Sequence, residues 1–306
     1  MHHVIDIICK YLPYFVEAGD YSLNIQSRVH SQKDKVTKDS TIVSEALTDA
    51  DLSIQNLFEV VTLAQFPEFR LVPEEIDQSI NVKYFDQKSD TILYLDPVNH
   101  TRFYKDRSGN FDIILTITRR HEIVGGIAYV PADGIFYIAD ENQSYVTSRI
   151  DYLSPDLWQP LTMENPGSTL LTYRVIPDEL ELLKVEFDSV IQLDRDYDAL
   201  INNVSIHDIF TGRIGAFYRS NASIMDWGVL GYIALKAGAV FVDRDGDTMD
   251  GKLWSSSGRA ASLICAANED LATRVLHALA LASVTTKTDL NSTVTVTPWG
   301  SDPDMT

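Results

Sequence analysis

The chain has 306 residues, 45% of them hydrophobic and 10% aromatic, enough for one large domain or two medium ones with a full core. Its 25 Lys and Arg face 44 Asp and Glu, a formal charge of −19 that argues against nucleic-acid polymers and anionic membrane surfaces as partners. Cys9 and Cys265 lack metal-ligand spacing, no apolar run is long enough to span a bilayer, and the first residues lack a secretory pattern, so the expectation is a cytoplasmic protein with two reduced thiols, a single disulfide being the alternative.

Val4, Ile7, Ile8, Tyr11, Tyr14 and Phe15 repeat with a helical period over 4–18, with Pro13 as a kink or stop. The charged stretch 31–41 reads as an exposed loop or hairpin. After Thr48-Asp49-Ala50-Asp51, residues Ile54, Leu57, Phe58 and Val61 fall at i, i+3, i+4 and i+7; this predicts an amphipathic helix with Asp51 in its acid-rich first turn. Residues 70–75 form a short strand closing on Glu74 and Glu75. The run 92–95 predicts a strand that delivers Asp96, Pro97, Asn99, His100 and Thr101 into a turn. Alone, that segment is explained as well by an ordinary Asx/Pro turn as by a metal or phosphate site, and its flanks must decide.

Residues 111–119, 122–130 and 134–139 are β-rich runs split by short polar or Pro/Gly turns, an antiparallel meander. The Pro/Gly/Ser-containing stretch 154–168 is the expected boundary between a lobe at 1–153 and a second at 154–306. A strand follows at 170–176. Asp226 is predicted to cap a helix whose Leu230, Ile233, Ala234 and Ala237 share a face; a strand at 239–243 and a turn at 243–246 come next. Glu269 and Asp270 open a last helix. The tail from about 287 is Thr/Ser-rich and expected to be loose, with a strand at 294–297.

Four acidic groups therefore stand at the ends of predicted elements: Asp51, Glu74 with Glu75, Asp96 and Asp226. In this order and spacing they resemble the inositol monophosphatase superfamily, over residues from about 45 to 280. Leu47-Thr48-Asp49-Ala50-Asp51 is similar to the V-T-x-x-D opening, and Asp51 through Pro67 to Glu74-Glu75 matches the spacing of D…P…G-E-E, with Pro73 replacing glycine. Asp96-Pro97-Val98-Asn99-His100-Thr101 occupies the place of D-P-[ILV]-D-G-T. Met225-Asp226 with Ala237-Gly238 resembles the later W-D…A-G segment. Thr101 through Arg107, Gly109 and Phe111 looks like the 3′(2′),5′-bisphosphate nucleotidase branch, gap-free in spacing.

The resemblance implies an α/β fold of the α+β type, a layered αβαβα sandwich with the site in the cleft between the lobes. It implies a phosphomonoesterase dependent on Mg²⁺ or Mn²⁺ that hydrolyses a small phosphorylated metabolite, leaning to a bisphosphate nucleotide over an inositol or sugar phosphate, and a homodimer. Hard oxygen donors suit Mg²⁺, which acidifies water and neutralises phosphoryl charge. By resemblance, Glu74, Asp96 and the carbonyl of Val98 hold one ion, and Asp96, Asn99 and Asp226 a second. Asp51 and Thr101 relay a proton, and backbone N–H groups of His100 and Thr101 bind phosphate.

Two positions depart from the pattern. Asn99 replaces a metal-binding aspartate and weakens the second ion site; His100 replaces glycine, so a turn that needs positive φ would strain it. Three accounts of Asn99-His100 stand open: an active variant with a weak or absent second ion, a site that binds without turnover, and a solvent-facing turn residue. A non-catalytic binding or assembly protein is accordingly the rival. Arg219 reads either as a contact to a further phosphate or sulfate of the substrate or as a solvated surface residue. Lys38 resembles a loop lysine of the family. His207, followed by Asp208, reads as a surface or satisfied polar residue.

Overall fold

A computed structural model describes residues 2–29, 48–198, 200–249, 254–255 and 257–292. Helix α1 (Val4–Ile25) is seven residues longer than its periodic segment, and Pro13 lies inside it without ending it. The buried stripe of Ile7, Ile8, Tyr11, Leu12 and Phe15 offsets the backbone hydrogen bond that proline removes. Helix α2 (Asp49–Gln65) starts in a capping box, with Thr48 as cap and Asp51 at the third helical position. Strand β1 (Arg70–Pro73) pairs in parallel with β2 (Thr91–Asn99). A five-residue helix, α3 (Thr101–Lys105), follows the turn at His100.

The expected meander is present as β3 (Asp112–Arg119), β4 (Glu122–Val130) and β5 (Ile135–Ala139), extended by β6 (Ser144–Ser148) and a two-residue β7 (Gln159–Pro160). These strands complete a seven-stranded sheet in sequence order. A second sheet is built from β8 (Thr169–Tyr173), β9 (Ser189–Gln192), β10 (Ala216–Ser223), β11 (Val240–Val242) and β12 (Arg259–Ala266), in the order β11-β12-β10-β8-β9. The helices of this half are α4 (Pro177–Glu186), α5 (Leu193–Asp196), α6 (Ile224–Lys236) and α7 (Glu269–Ser292).

Helices α1 and α2 cover one face of the first sheet, α6 is packed between the two sheets, and α4 with α7 covers the far side of the second. The result is the αβαβα sandwich. Helix α6 is hydrophobic nearly all round because it meets a sheet on each side, with Trp227, Val229, Leu230 and Ile233 all buried.

Two helix ends also differ from the sequence expectation. Ser223, not Asp226, caps α6: its side chain accepts from the Met225 N–H, while Asp226 stands in the first turn, where an acid is equally favoured by the helix dipole. Helix α7 runs on to Ser292 through residues whose composition suggested a loose tail. The segments 31–41, with Lys38, and 294–297 lie outside the described residues. Among the described residues no helix is long and apolar enough to cross a membrane.

Candidate active site

Strand alternation sets up the site. Leu93 and Leu95 are buried in the core beneath α1 and α2, which puts Tyr94 and Asp96 on the opposite face, toward α6. The ladder between β2 and β3 slips between Asp96 and Asn99: Asp96 pairs with Ile114 and Asn99 with Asp112, so β2 carries one extra residue there. Pro97, with no N–H to contribute, sits in that bulge at no cost in ladder hydrogen bonds. The chain then turns through His100 at φ 67° and ψ 46°, left-handed as the glycine-like position requires. Histidine tolerates this conformation better than most side chains, though it still costs about 1 kcal/mol.

Glu74 is brought beside this bulge by β1, its N–H donating to the Leu95 carbonyl at 2.9 Å. Gln55 of α2 fixes the next residue, accepting from the Glu75 N–H and donating to the Glu75 carbonyl, both at 3.1 Å. Asp51 is fully buried; its Oδ2 accepts from the Thr48 N–H at 2.8 Å and the Thr48 hydroxyl at 2.6 Å. The Thr101 hydroxyl lies 3.2 Å from Asp51 Oδ1 and 2.8 Å from the Val98 carbonyl. Its single proton serves one of these acceptors at a time.

One pocket between the two sheets gathers Glu74, Asp96, Val98, Asn99, His100 and Thr101 with Arg219, Asp226 and the rings of Tyr173 and Trp227. Asp51 stands outside the lining, one hydrogen bond behind Thr101. Arg219 is buried, at 7% exposure, which removes the solvated-surface alternative. Burial, then the negative charges of Glu74, Asp226 and Asp51, push the Asp96 carboxyl well above the usual carboxylate range. Such a site takes up positive charge, as protons or as a cation.

Among the described residues no group of three His, Cys, Asp or Glu side chains is placed to hold a metal ion. A smaller donor set, the carboxylates of Glu74 and Asp96 with the carbonyl of Val98, lines the pocket and has the hard-oxygen chemistry of a Mg²⁺ site, where one or two carboxylates suffice and water completes the shell. A second set around Asp226 fits less well. Asn99 is neutral there, and Asp226 Oδ2 already has the Arg219 Nη1 at 3.3 Å.

A family model described as the inositol monophosphatase family matches residues 16–286. The chain belongs to the inositol monophosphatase family. Solved structures agree on the fold. An inositol monophosphatase from Thermotoga maritima superimposes with a TM-score of 0.67 at 17% identity, covering 92% of this chain and 99% of that one. The extragenic suppressor protein SuhB of Bartonella henselae gives 0.67 at 14%, covering 90% and 98%. A dual inositol monophosphatase/NADP phosphatase complexed with NADP and Ca²⁺ gives 0.65 at 15%, covering 90% and 94%. By sequence comparison, no curated protein matches the chain. Family membership supports a metal-dependent phosphatase.

One part of the site lay outside the sequence expectation. Asp112, at 0% exposure, stands behind Asn99 and accepts from its amide Nδ2 at 2.8 Å. A carboxylate only accepts, so the amide NH₂ faces Asp112. On its other oxygen Asp112 meets His207 Nδ1 at 2.8 Å, and His207 Nε2 meets Asn110 Oδ1 at 2.7 Å. The Asn110 NH₂ is directed at the Asp208 carboxylate and the Asn203 carbonyl. His207 Nδ1 also has the Ser205 hydroxyl at 2.8 Å, and with a carboxylate and an amide oxygen facing its two ring nitrogens the imidazolium is the favoured form. His207 is thus a buried partner of Asp112 and not a surface residue. The readable signal was a lone acid opening the otherwise apolar run Phe111-Asp112-Ile113-Ile114-Leu115.

Burial alone would raise the Asp112 carboxyl and lower His207, but the charge of His207, with His100 Nδ1 a further 3.8 Å neighbour, holds Asp112 well below the usual carboxylate range, and the Asp112 carboxylate lifts His207 above its ordinary value. For Asp112 the depressed value gives stability present above about pH 4 and lost in stronger acid; for His207 the raised value gives stability complete below about pH 6.5 and lost as pH climbs through the folded value. The pair is therefore strongest between about pH 4 and 6.5. Urea unfolding should show His207→Gln destabilised by about 3 kcal/mol in that window, with the gap narrowing in more alkaline solution. A gap that is flat with pH would refute the charged pair.

Proposed function

We propose that the protein is a divalent-metal-dependent phosphomonoesterase acting on a small phosphorylated metabolite, with 3′(2′),5′-bisphosphate nucleotides as the leading substrate class. The observation that carries the reading is the Thr101 hydroxyl, within hydrogen-bond reach of Asp51 and of the Val98 carbonyl, at a pocket that presents Glu74 and Asp96. Glu74, Asp96 and the Val98 carbonyl would hold the ion. When bound, it supplies an acidified water and charge neutralisation of the phosphoryl oxygens.

Asp51 and Thr101 then act as the proton acceptor. With its hydrogen donated to Asp51, the Thr101 hydroxyl turns a lone pair to the pocket and orients the attacking water; Asp51, held by Thr48 on its other oxygen, receives the proton. His100, buried in the pocket lining and so not the solvent-facing turn residue of the third account, and the Arg219 guanidinium would present donors toward the substrate, and the backbone N–H groups at His100 and Thr101 would face its phosphate. The substrate would sit in the cleft between two lobes, 1–153 and 154–306. The nucleotide preference rests on the run from Thr101 to Phe111. It is tested by comparing phosphate release from adenosine 3′,5′-bisphosphate, inositol 1-phosphate and fructose 1,6-bisphosphate under Mg²⁺ or Mn²⁺. The highest kcat/KM is expected for the bisphosphate nucleotide, and a clear preference for either other substrate would reassign the class.

A further inference from the structure

The region around Asp226 departs from a simple cation site in three ways. First, the residue that would complete it, Asn99, is neutral, and with its amide NH₂ held by Asp112 it has a carbonyl oxygen and no charge to offer an ion. Second, Asp226 Oδ2 already has a positive charge beside it, the Arg219 Nη1 at 3.3 Å. Third, that charge is built in. Arg219 lies on β10 beside Tyr173 of β8 in register, and its guanidinium sits over the Tyr173 ring at 4.5 Å and the Trp227 ring at 5.0 Å. Its Nε is buried without a hydrogen-bond partner, so ring faces and Asp226, not a full set of acceptors, keep the side chain there.

We propose that the Arg219 guanidinium occupies the place of a second metal ion, so that this site takes one divalent cation, at Glu74 and Asp96. The proposal rests on the phosphatase reading above and assigns the charge complement of the same site. A dication entering beside Asp226 would stand next to a fixed cation and share a carboxylate already paired with it. The guanidinium differs from an ion in what it supplies. It is a planar donor with permanent charge, able to hold the oxygen leaving phosphorus through hydrogen bonds, but it does not acidify water. Neutral Asn99 and cationic Arg219 then act in the same sense: the pocket presents one carboxylate at Asp226, and a positive charge already stands beside it.

The test counts ions independently of turnover. Metal-free protein is titrated with Mn²⁺, following free Mn²⁺ by electron paramagnetic resonance, for the unaltered chain and for Arg219→Met. One Mn²⁺ per unaltered chain is expected, and Arg219→Met should gain a second with at least about tenfold tighter binding than any second ion of the parent, because the competing charge is gone. Two ions of comparable affinity on the unaltered chain would overturn the proposal and leave the phosphatase reading intact. A single ion on both proteins would overturn the role given to Arg219. No binding by the unaltered chain would sink the proposal and the metal-dependent reading together.

Discussion

Asn99→Asp, which turns Asp96–Thr101 toward the D-P-[ILV]-D-G-T pattern it resembles, is expected to destabilise the protein by about 2–4 kcal/mol at pH 7. The new carboxylate would face Asp112 Oδ1 at the 2.8 Å now spanned by an amide hydrogen bond, with Asn99 and Asp112 both buried. Two carboxylates at that distance do not both ionise. Keeping an aspartic acid protonated at pH 7 against an ordinary value of about 3.9 costs about 4 kcal/mol, and the neighbouring His207 cation offsets part of it. Exchanging the pair, Asn99→Asp with Asp112→Asn, returns one donor and one acceptor between the two positions but takes the carboxylate away from His207, so the double variant should lose less than the sum of the two single losses without returning to the parent. Urea unfolding of the two single variants and the double variant measures this coupling. If Asn99→Asp alone is as stable as the parent at pH 7, or the two single losses simply add in the double variant, the Asn99–Asp112 bond is not what holds the asparagine in place.

Asp96→Asn carries the largest expected effect on activity, a loss of about a thousandfold or more in phosphate release, because it removes the carboxylate central to the proposed ion site. Its effect on the metal-free fold should run the other way. A carboxyl raised by burial and by Glu74, Asp226 and Asp51 is more easily ionised in the unfolded chain, so the native state loses stability as pH rises above about 4 and recovers it in acid. The neutral amide escapes this penalty. Metal-free Asp96→Asn should therefore melt higher than the parent at pH 7, with the difference vanishing near pH 4. A variant that is less stable than the parent at both pH values would show that Asp96 is held by interactions other than those of a crowded acidic site.

Much of this architecture was legible in the residues. The i, i+3, i+4 spacing after Asp51 gave α2 and its first-turn acid, and the alternating, turn-separated runs from Phe111 to Ala139 gave the meander, because both patterns follow from local geometry. Strands β10 and β12 were missed. Each runs between buried neighbours in the second sheet, and residues such as Arg219 in β10 and Arg259 and Ser262 in β12 interrupt the apolar pattern that marks a strand. Arg219 is buried only because Tyr173 and Trp227, 46 positions before and 8 after it, close over it in the fold.

The candidate site followed the same division. Its acids stood at element ends and could be ordered along the chain, yet the contacts that distinguish this protein are long-range. Asp112 reaches His207 across a separation of 95 residues, and Asn110 reaches Asp208 across 98, pairs that no local spacing reveals. Asn99 read alone is a missing charge; beside Asp112 it is a hydrogen-bond donor with a fixed partner.

The most direct measurement of the central claim is phosphate release by the unaltered protein with adenosine 3′,5′-bisphosphate, inositol 1-phosphate and fructose 1,6-bisphosphate, before chelation, after treatment with EDTA, and after return of Mg²⁺ or Mn²⁺. Turnover of at least one substrate that disappears with the chelator and returns with the ion is the predicted result. No release from any of them with either ion, or release indifferent to EDTA, would contradict a metal-dependent phosphomonoesterase.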